Sequence, residues 1–221
     1  MSRDTRNSRP LQISGPAGFA AAFTDSRETL ARLETYAAEL RLWQRSTNLI
    51  SPSTEDQIWH RHFADSAQLL DLAPDARTWL DLGAGAGFPG LVIAILLAGR
   101  PGCRVHLVES SAKKVAFLRH VARNTGAPVD IHNLRIEEWA KQSKLPAVNV
   151  VTARALASLG KLLGYAAPFF NAGTLGLFLK GRDVQAELDA ARATWRFQSE
   201  LVPSRTDPSG QIAVIRQLEP L

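Results

Sequence analysis

The chain has 221 residues, 45% of them hydrophobic and 21% charged, the balance of one soluble globular domain, which excludes a disordered chain, a coiled coil and a collagen-like repeat. Twenty-six Lys and Arg against 21 Asp and Glu leave a formal charge of +5, a surplus that permits a polyanionic partner without requiring one. The single cysteine, Cys103, rules out an intramolecular disulfide and a cysteine metal cluster, and fits a cytoplasmic setting.

Taken in chain order, Met1–Pro10 carries Arg3, Asp4, Arg6 and Arg9 with no apolar run behind them, unlike a signal peptide. A loose tail is expected to about Gly15. A helical cap over residues 16–75 follows. Asp25 with Glu28 three residues on reads as a capping box, and Leu30, Leu33, Ala37 and Leu40 recur at helical spacing behind it. Asn48 to Pro52 breaks that pattern. Ser53 and Asp56 can cap a second helix through Trp59, Phe63, Leu69 and Leu70, ending before Pro74. From residue 76 short apolar strands alternate with helices. Strands are expected at 77–82, 103–108, 128–132, 147–153, 174–180, 195–202 and 211–217. Helices are expected near 89–99, 111–125, 158–167 and 183–193, with a short turn at Glu137–Lys141. Such alternation with short links predicts an α/β fold, a mostly parallel, doubly wound sheet. Asp207-Pro208-Ser209-Gly210 is a turn sequence, so the last two strands should form an antiparallel hairpin. The whole reads as one domain, residues 16–221. The two uncharged stretches Leu82–Gly99 and Leu162–Leu179 are broken by Gly and Pro, so no membrane span is expected.

The most informative segment runs from Trp79 to Gly90. It begins as a strand, passes through Gly83, Gly85 and Gly87, and enters a helix at Pro89, which suits a first helical position. Nineteen residues past Gly90, at the next strand end, stands Glu109, placed to accept both ribose hydroxyls of an adenosine cofactor. Gly85 to Gly90 fits the G-x-G-x-x-G dinucleotide fingerprint. An acidic strand residue followed by G-x-G-x-G, as in S-adenosylmethionine (SAM) methyltransferases, also accounts for Asp81, whose carboxylate can engage the cationic methionyl end directly or through water. A glycine-rich turn without a ligand is the bland alternative.

Further motifs then fall in order: Trp43–Leu49, Arg61–Ser66, Asp81–Gly90, Lys113–Leu118, Arg135–Glu138, Thr152–Ala155 and Lys180-Gly181. With them the chain, from Tyr36 onward, resembles the bacterial small-subunit ribosomal RNA methyltransferase G family, also called glucose-inhibited division protein B. That family often has Pro where Ala86 stands, and Ala is compatible with the turn. The resemblance implies a Rossmann-like class I methyltransferase sheet, SAM as cofactor, and formation of 7-methylguanosine in 16S ribosomal RNA near the decoding region, the substrate being an RNA within a small-subunit particle. A monomer is expected.

The resemblance places Gly83, Gly85, Gly87 and Phe88 against the cofactor, with Asp81 beneath. Strand-end position assigns the ribose to Glu109. Ile136 and Glu137 follow the third strand, where backbone groups can pair with adenine; Glu137 and Glu138 can equally just begin a short helix. Arg154 ends the fourth strand at the ligand edge of the sheet and is expected to position substrate and cofactor; a structural salt bridge is its bland reading. Thr152 to Ala155 replaces the Asn/Asp-Pro-Pro-aromatic motif that holds an attacking amine, and no paired catalytic cysteines exist. A purine ring nitrogen with a free lone pair needs neither device nor a general base. Arg119, Arg123, Lys180 and Arg182, with the N-terminal arginines, are the candidate RNA contacts; residues 101–161 hold ten basic and four acidic residues. For the helix bearing Arg119 and Arg123 a plain solvated face competes with that role. No metal is expected, since His60 and His62 are two apart and His106, His120 and His132 lack ligand spacing. His62, Asp65 and Ser66 match the family but packing or capping explains them as well. A methyltransferase for small molecules or proteins, an NAD-dependent oxidoreductase and an RNA-binding module remain the rival functions.

Overall fold

The computed structural model describes residues 11–221. The expected loose tail therefore falls mostly outside the described residues. In its last part Ile13 is buried and the Leu11 N–H donates to the Arg205 carbonyl at 2.7 Å.

The N-terminal helices are α1 (Pro16–Phe23) and α2 (Arg27–Gln44). The cap of α2 is Ser26, not the expected Asp25: Ser26 takes the extended conformation and its hydroxyl accepts from the Thr29 N–H at 3.2 Å. The expected second helix is broken into four pieces. A 3₁₀ turn over Pro52–Gln57 leads into a π-helical turn at Ile58–Ala64, one α-turn (α3, Asp65–Ala67) and a second 3₁₀ turn at Gln68–Leu72. Its apolar residues Ile58, Trp59, Phe63 and Leu69 are all buried. Packing against α1, α2 and the sheet, rather than regular helix periodicity, therefore sets its path.

Seven strands form one sheet: β1 (Thr78–Leu82), β2 (Arg104–Val108), β3 (Val129–His132), β4 (Val150–Arg154), β5 (Leu175–Lys180), β6 (Trp195–Pro203) and β7 (Gln211–Pro220). Their order is β3-β2-β1-β4-β5-β7-β6. The first five are parallel and β7 runs antiparallel to both β5 and β6, as the alternation and the Asp207–Gly210 turn predict. Helices α4 (Gly90–Leu97), α5 (Ala112–Thr125), α6 (Ile136–Trp139), α7 (Leu159–Ala166) and α8 (Val184–Ala191) make the connections. Pro89 caps α4 instead of opening its first turn, and the Phe88–Pro89 peptide is cis.

The sheet separates two apolar cores. One lies under α1, α2, the Pro52–Leu72 segment, α4 and α5, and includes Trp79, Phe63 and Phe117; the other lies under α6, α7 and α8, and includes Leu80, Leu82 and Trp139. Alternation along β1 thus feeds both layers, each large buried side chain contributing roughly 1.5–3 kcal/mol. No helix among the described residues is long and apolar enough to cross a membrane.

Candidate functional site

Strand order reverses between β1 and β4, and the crevice outside the carboxyl ends of strands at such a point is where open α/β sheets bind ligands. The glycine loop sits there. Gly83, Gly85 and Gly87 have φ of 68°, 58° and 99°, a region that side-chain-bearing residues rarely enter. A Cβ at Gly87 would lie 2.6 Å from the Tyr36 hydroxyl and 2.8 Å from Leu91, so this glycine is also needed for room. At Gly85 the nearest atom to such a Cβ is 3.8 Å away, so the loop's outer side is open to a ligand. Beneath, the loop is braced: the Tyr36 hydroxyl donates to the Ala86 carbonyl, and Phe88 stacks between Tyr36 and His62 at centroid distances of 5.5 and 4.8 Å.

Asp81 and Glu109 hold the loop from two sides. Asp81 is fully buried; one oxygen accepts from the Gly90 N–H at 2.9 Å and the other from the Thr152 hydroxyl at 3.1 Å, Thr152 being its register partner on β4. Burial pushes its pKa up to about 7, against the pull of these two hydrogen bonds and of Arg154. The sequence expected Asp81 to engage a cationic ligand end directly or through water; here its carboxylate is buried, with Gly90 and Thr152 as its partners. It braces α4 against the sheet. Glu109, buried at the end of β2, accepts from the Gly85 N–H at 3.0 Å and the Ser111 N–H at 2.7 Å. Each oxygen keeps a second lone pair for a hydroxyl donor. Ile136 is buried at the start of α6, whereas Glu137 is exposed, its pKa lowered first by its own backbone N–H.

Arg154, at the end of β4, is clamped by the helical cap. Its Nη1 donates to the Arg61 carbonyl at 2.9 Å and to Asp65 at 3.3 Å; its Nη2 is 2.8 Å from His62 Nδ1; its guanidinium lies 5.0 Å from the Phe88 ring centre. Desolvation first, then Arg154 and Arg61, lower the His62 pKa to about 3. His62 is therefore neutral at ordinary pH. Since Arg154 can only donate, Nδ1 accepts, and the proton sits on Nε2, which faces the Thr54 hydroxyl at 2.9 Å. Asp65 in turn accepts from Thr206 at 2.7 Å and Gln68 at 3.0 Å. The residue after Arg154, Ala155, has φ of 52°, strained for a residue with a side chain. Sequence reasoning left His62 and Asp65 out of the site. The signal available was their place in one motif; the arginine they hold is some ninety residues away in the chain.

A cleft of about 640 Å³ opens beside Arg154 and is lined by Arg61, His62, Asp65, Ala155, Lys180 and Asp207 among others, but not by the glycine loop. That is the size of a small-ligand site. Lys180, expected to meet RNA, is instead held by Glu187 at 2.7 Å and the Ala157 carbonyl at 3.1 Å, with 12% of its side chain exposed. The lysine that the sequence offers as a phosphate contact is thus already engaged within the protein. Arg119, Arg123 and Arg182 are exposed. Among the described residues no group of three or more His, Cys, Asp or Glu could hold a metal ion.

The sheet order, terminal antiparallel hairpin and glycine loop at the switch point define a Rossmann-like methyltransferase fold. The fold matches that of an S-adenosylhomocysteine-bound methyltransferase from Podospora anserina, with a TM-score of 0.61, 13% identity, and coverage of 91% of this chain and 93% of that one. The chain belongs to the rRNA small subunit methyltransferase G (GidB) family, whose profile matches residues 29–211. It is 52% identical to the ribosomal RNA small subunit methyltransferase G of Parvibaculum lavamentivorans, over 94% of this chain and 91% of that protein. Identity to the protein of the same name from Caulobacter vibrioides is 49%, over 95% of this chain and 94% of that one.

Proposed function

We propose that the protein methylates N7 of a guanine in 16S ribosomal RNA, with SAM as methyl donor, acting as a monomer in the cytoplasm on a small-subunit particle near the decoding region. The observation that carries this reading is the single hydrogen-bonded cradle formed by Asp81, the positive-φ glycine loop and Glu109, set beside Arg154 in a chain of this family.

The residues fit the cofactor: the loop leaves open space over Gly85, and Glu109 retains acceptor capacity for the ribose hydroxyls. Gly83, Gly85 and Gly87 would line the methionyl and ribose side, with Phe88 packed beneath them against Tyr36 and His62. Ile136 would pack on the adenine, with the Glu137 backbone at its edge. Asp81 acts through its field and through the loop it braces. When bound, SAM supplies an electrophilic methyl group on a sulfonium. Guanine N7 carries a lone pair and no proton, so the new N–C bond forms as the S–C bond breaks, with its electron pair left on sulfur. No general base is required. The protein's contribution is alignment and exclusion of water. Arg154, fixed by Arg61, His62 and Asp65, has no freedom to wander, and forms a rigid cationic wall of the cleft that receives the base.

Labelled SAM and small subunits from cells lacking this activity test the reading. Formation of labelled 7-methylguanosine is expected; label elsewhere, or none, would overturn it. Calorimetry with NAD in place of SAM should show no binding, which separates the oxidoreductase reading of Gly85–Gly90.

A further inference from the structure

Adenine, like guanine, carries an N7 with a free lone pair, so attack by N7 does not by itself select guanine. The two bases differ on the side of the ring away from N7. Guanine presents two neighbouring donors there, N1–H and the 2-amino group; adenine has a bare N1 and no 2-amino group.

The glycine loop follows β1 and Arg154 ends β4, with β5 next in the sheet. Adjacent strands lie about 5 Å apart, and a purine spans about one such spacing. A base whose N7 faces the cofactor over β1 therefore turns its far side toward β5 and the connection into α8. Asp183 stands in that connection, just past Lys180 at the end of β5, and lines the cleft. The other charged groups there are spent on one another: Arg154 on Asp65 at 3.3 Å, Arg61 on Asp207 at 2.9 Å, Lys180 on Glu187 at 2.7 Å. Among the described residues, Asp183 and Gln211 are the polar side chains of the cleft without a hydrogen-bond or ion-pair partner. The Gln211 amide carries both a donor and an acceptor and can face either purine. Asp183 offers acceptors only, two oxygens side by side, which match two neighbouring donors and are repelled by the bare N1 of adenine. Asp183 is also the residue before α8, a position that suits a capping carboxylate, yet its side chain makes no capping bond. Capping therefore leaves the carboxylate available to a ligand.

We propose that the Asp183 carboxylate accepts hydrogen bonds from N1–H and the 2-amino group of the target base and so selects guanine. This inference rests on the guanine-N7 reading above and names the residue that decides its specificity. The same contact assists the transfer. As N7 takes the methyl group the purine becomes cationic and its N1–H and amino groups become stronger donors. The bonds to Asp183 are thus stronger in the transition state than in the ground state. No proton moves to Asp183.

The wild-type labelled product first locates the methylated position. Small subunits are then reconstituted on 16S RNA with guanine or hypoxanthine at that position; hypoxanthine keeps N7, O6 and N1–H and lacks only the 2-amino group. Methylation rates are measured for the wild type, Asp183→Ala and Asp183→Asn, with SAM affinity from calorimetry and stability from urea unfolding. The wild type should lose about tenfold in kcat/KM from guanine to hypoxanthine. Asp183→Ala should lower kcat/KM on guanine about 100-fold and bring the guanine-to-hypoxanthine ratio within about twofold, with SAM affinity and unfolding near wild type. Asp183→Asn, which keeps one acceptor, should fall between, and it decides the matter if the Ala variant is unstable. A purely structural role would slow both substrates alike and keep the wild-type ratio, which overturns the proposal. Variants that match the wild type on guanine, or a wild type that does not distinguish the two bases, also overturn it, while the N7 reading stands. If the wild type forms no 7-methylguanosine in the particle, the underlying reading fails and the specificity assignment with it.

Discussion

The two halves of the ligand edge are built differently. Over β1 and β2 the polar groups are satisfied mostly by backbone N–H groups: Asp81 by Gly90, with the Thr152 hydroxyl on β4 as its second partner, and Glu109 by Ser111 and Gly85. Over β4 and β5 the work is done by segments far apart. Arg154 is held from the Arg61–Asp65 turn, and that turn is fastened to the β6–β7 connection through Arg61–Asp207, Asp65–Thr206, and Gln68 with Ser204 and Arg205. The first half is a cradle whose donors are mostly backbone N–H groups of the β1–α4 and β2–α5 connections. The second is a side-chain clamp that exists only when three parts of the chain meet. Changes in the cradle should therefore act on folding and cofactor binding, and changes in the clamp on turnover.

The sharpest way to break that division is Gly87→Ala. It places a Cβ within 2.8 Å of both the Tyr36 hydroxyl and Leu91 at a φ of 99°. A loss of about 3 kcal/mol or more in urea unfolding is expected, with SAM binding lost. Wild-type stability would show that the cradle is softer than its geometry. Arg154→Ala is next. Removal leaves Asp65 and His62 without their partner, about 1–3 kcal/mol, and loosens the cleft wall. Turnover should fall about 100-fold while SAM affinity by calorimetry stays within about threefold. An equal loss of SAM affinity would merge the two halves into one site. His62→Ala should cost about tenfold in kcat with folding retained, and His62→Asn, which keeps an acceptor for Arg154, should recover part of it. A failure of Asn to recover activity would mean that stacking on Phe88, rather than the hydrogen bond, is what matters. The last test is a pH dependence. With the Asp81 pKa raised to about 7 from its usual 3.8, the folded protein holds a proton that the unfolded chain releases. Stability should therefore fall as pH rises from about 4 to about 7. The cationic donor should favour the ionised carboxylate, so SAM affinity should rise across pH 6 to 8. Urea melts and calorimetry of the wild type against Asp81→Asn, which should lack both slopes, decide it.

How far the sequence could be read follows the same division. Strand positions, the hairpin and the cradle were legible because each is set by local periodicity and by glycines that only certain turns accept. The capping residue moved by one position, to Ser26, as helix starts are decided by which side chain reaches the free N–H groups. The Pro52–Leu72 segment reads as a helix by its apolar spacing, yet tertiary packing broke it into 3₁₀ and π turns that carry His62 and Asp65 to Arg154. The ion pair of Lys180 was not legible because Glu187 lies seven residues on, across the β5–α8 connection rather than on a shared helix face. His106 and His132 have no motif spacing, but β2–β3 pairing brings their ring nitrogens to 3.2 Å.

By itself, then, the sequence determined the α/β alternation, the glycine loop with Asp81 and Glu109, and the family. The alternation and the loop follow from apolar periodicity and from the steric limits of glycine turns, which spacing encodes directly, and the family from the resemblance of its ordered motifs. Only the tertiary structure decided what each charge does: which arginines are clamped and which lysine is neutralised. Charge pairing is a matter of distance in space, and the partners here come from helices and turns that meet only after the sheet has formed.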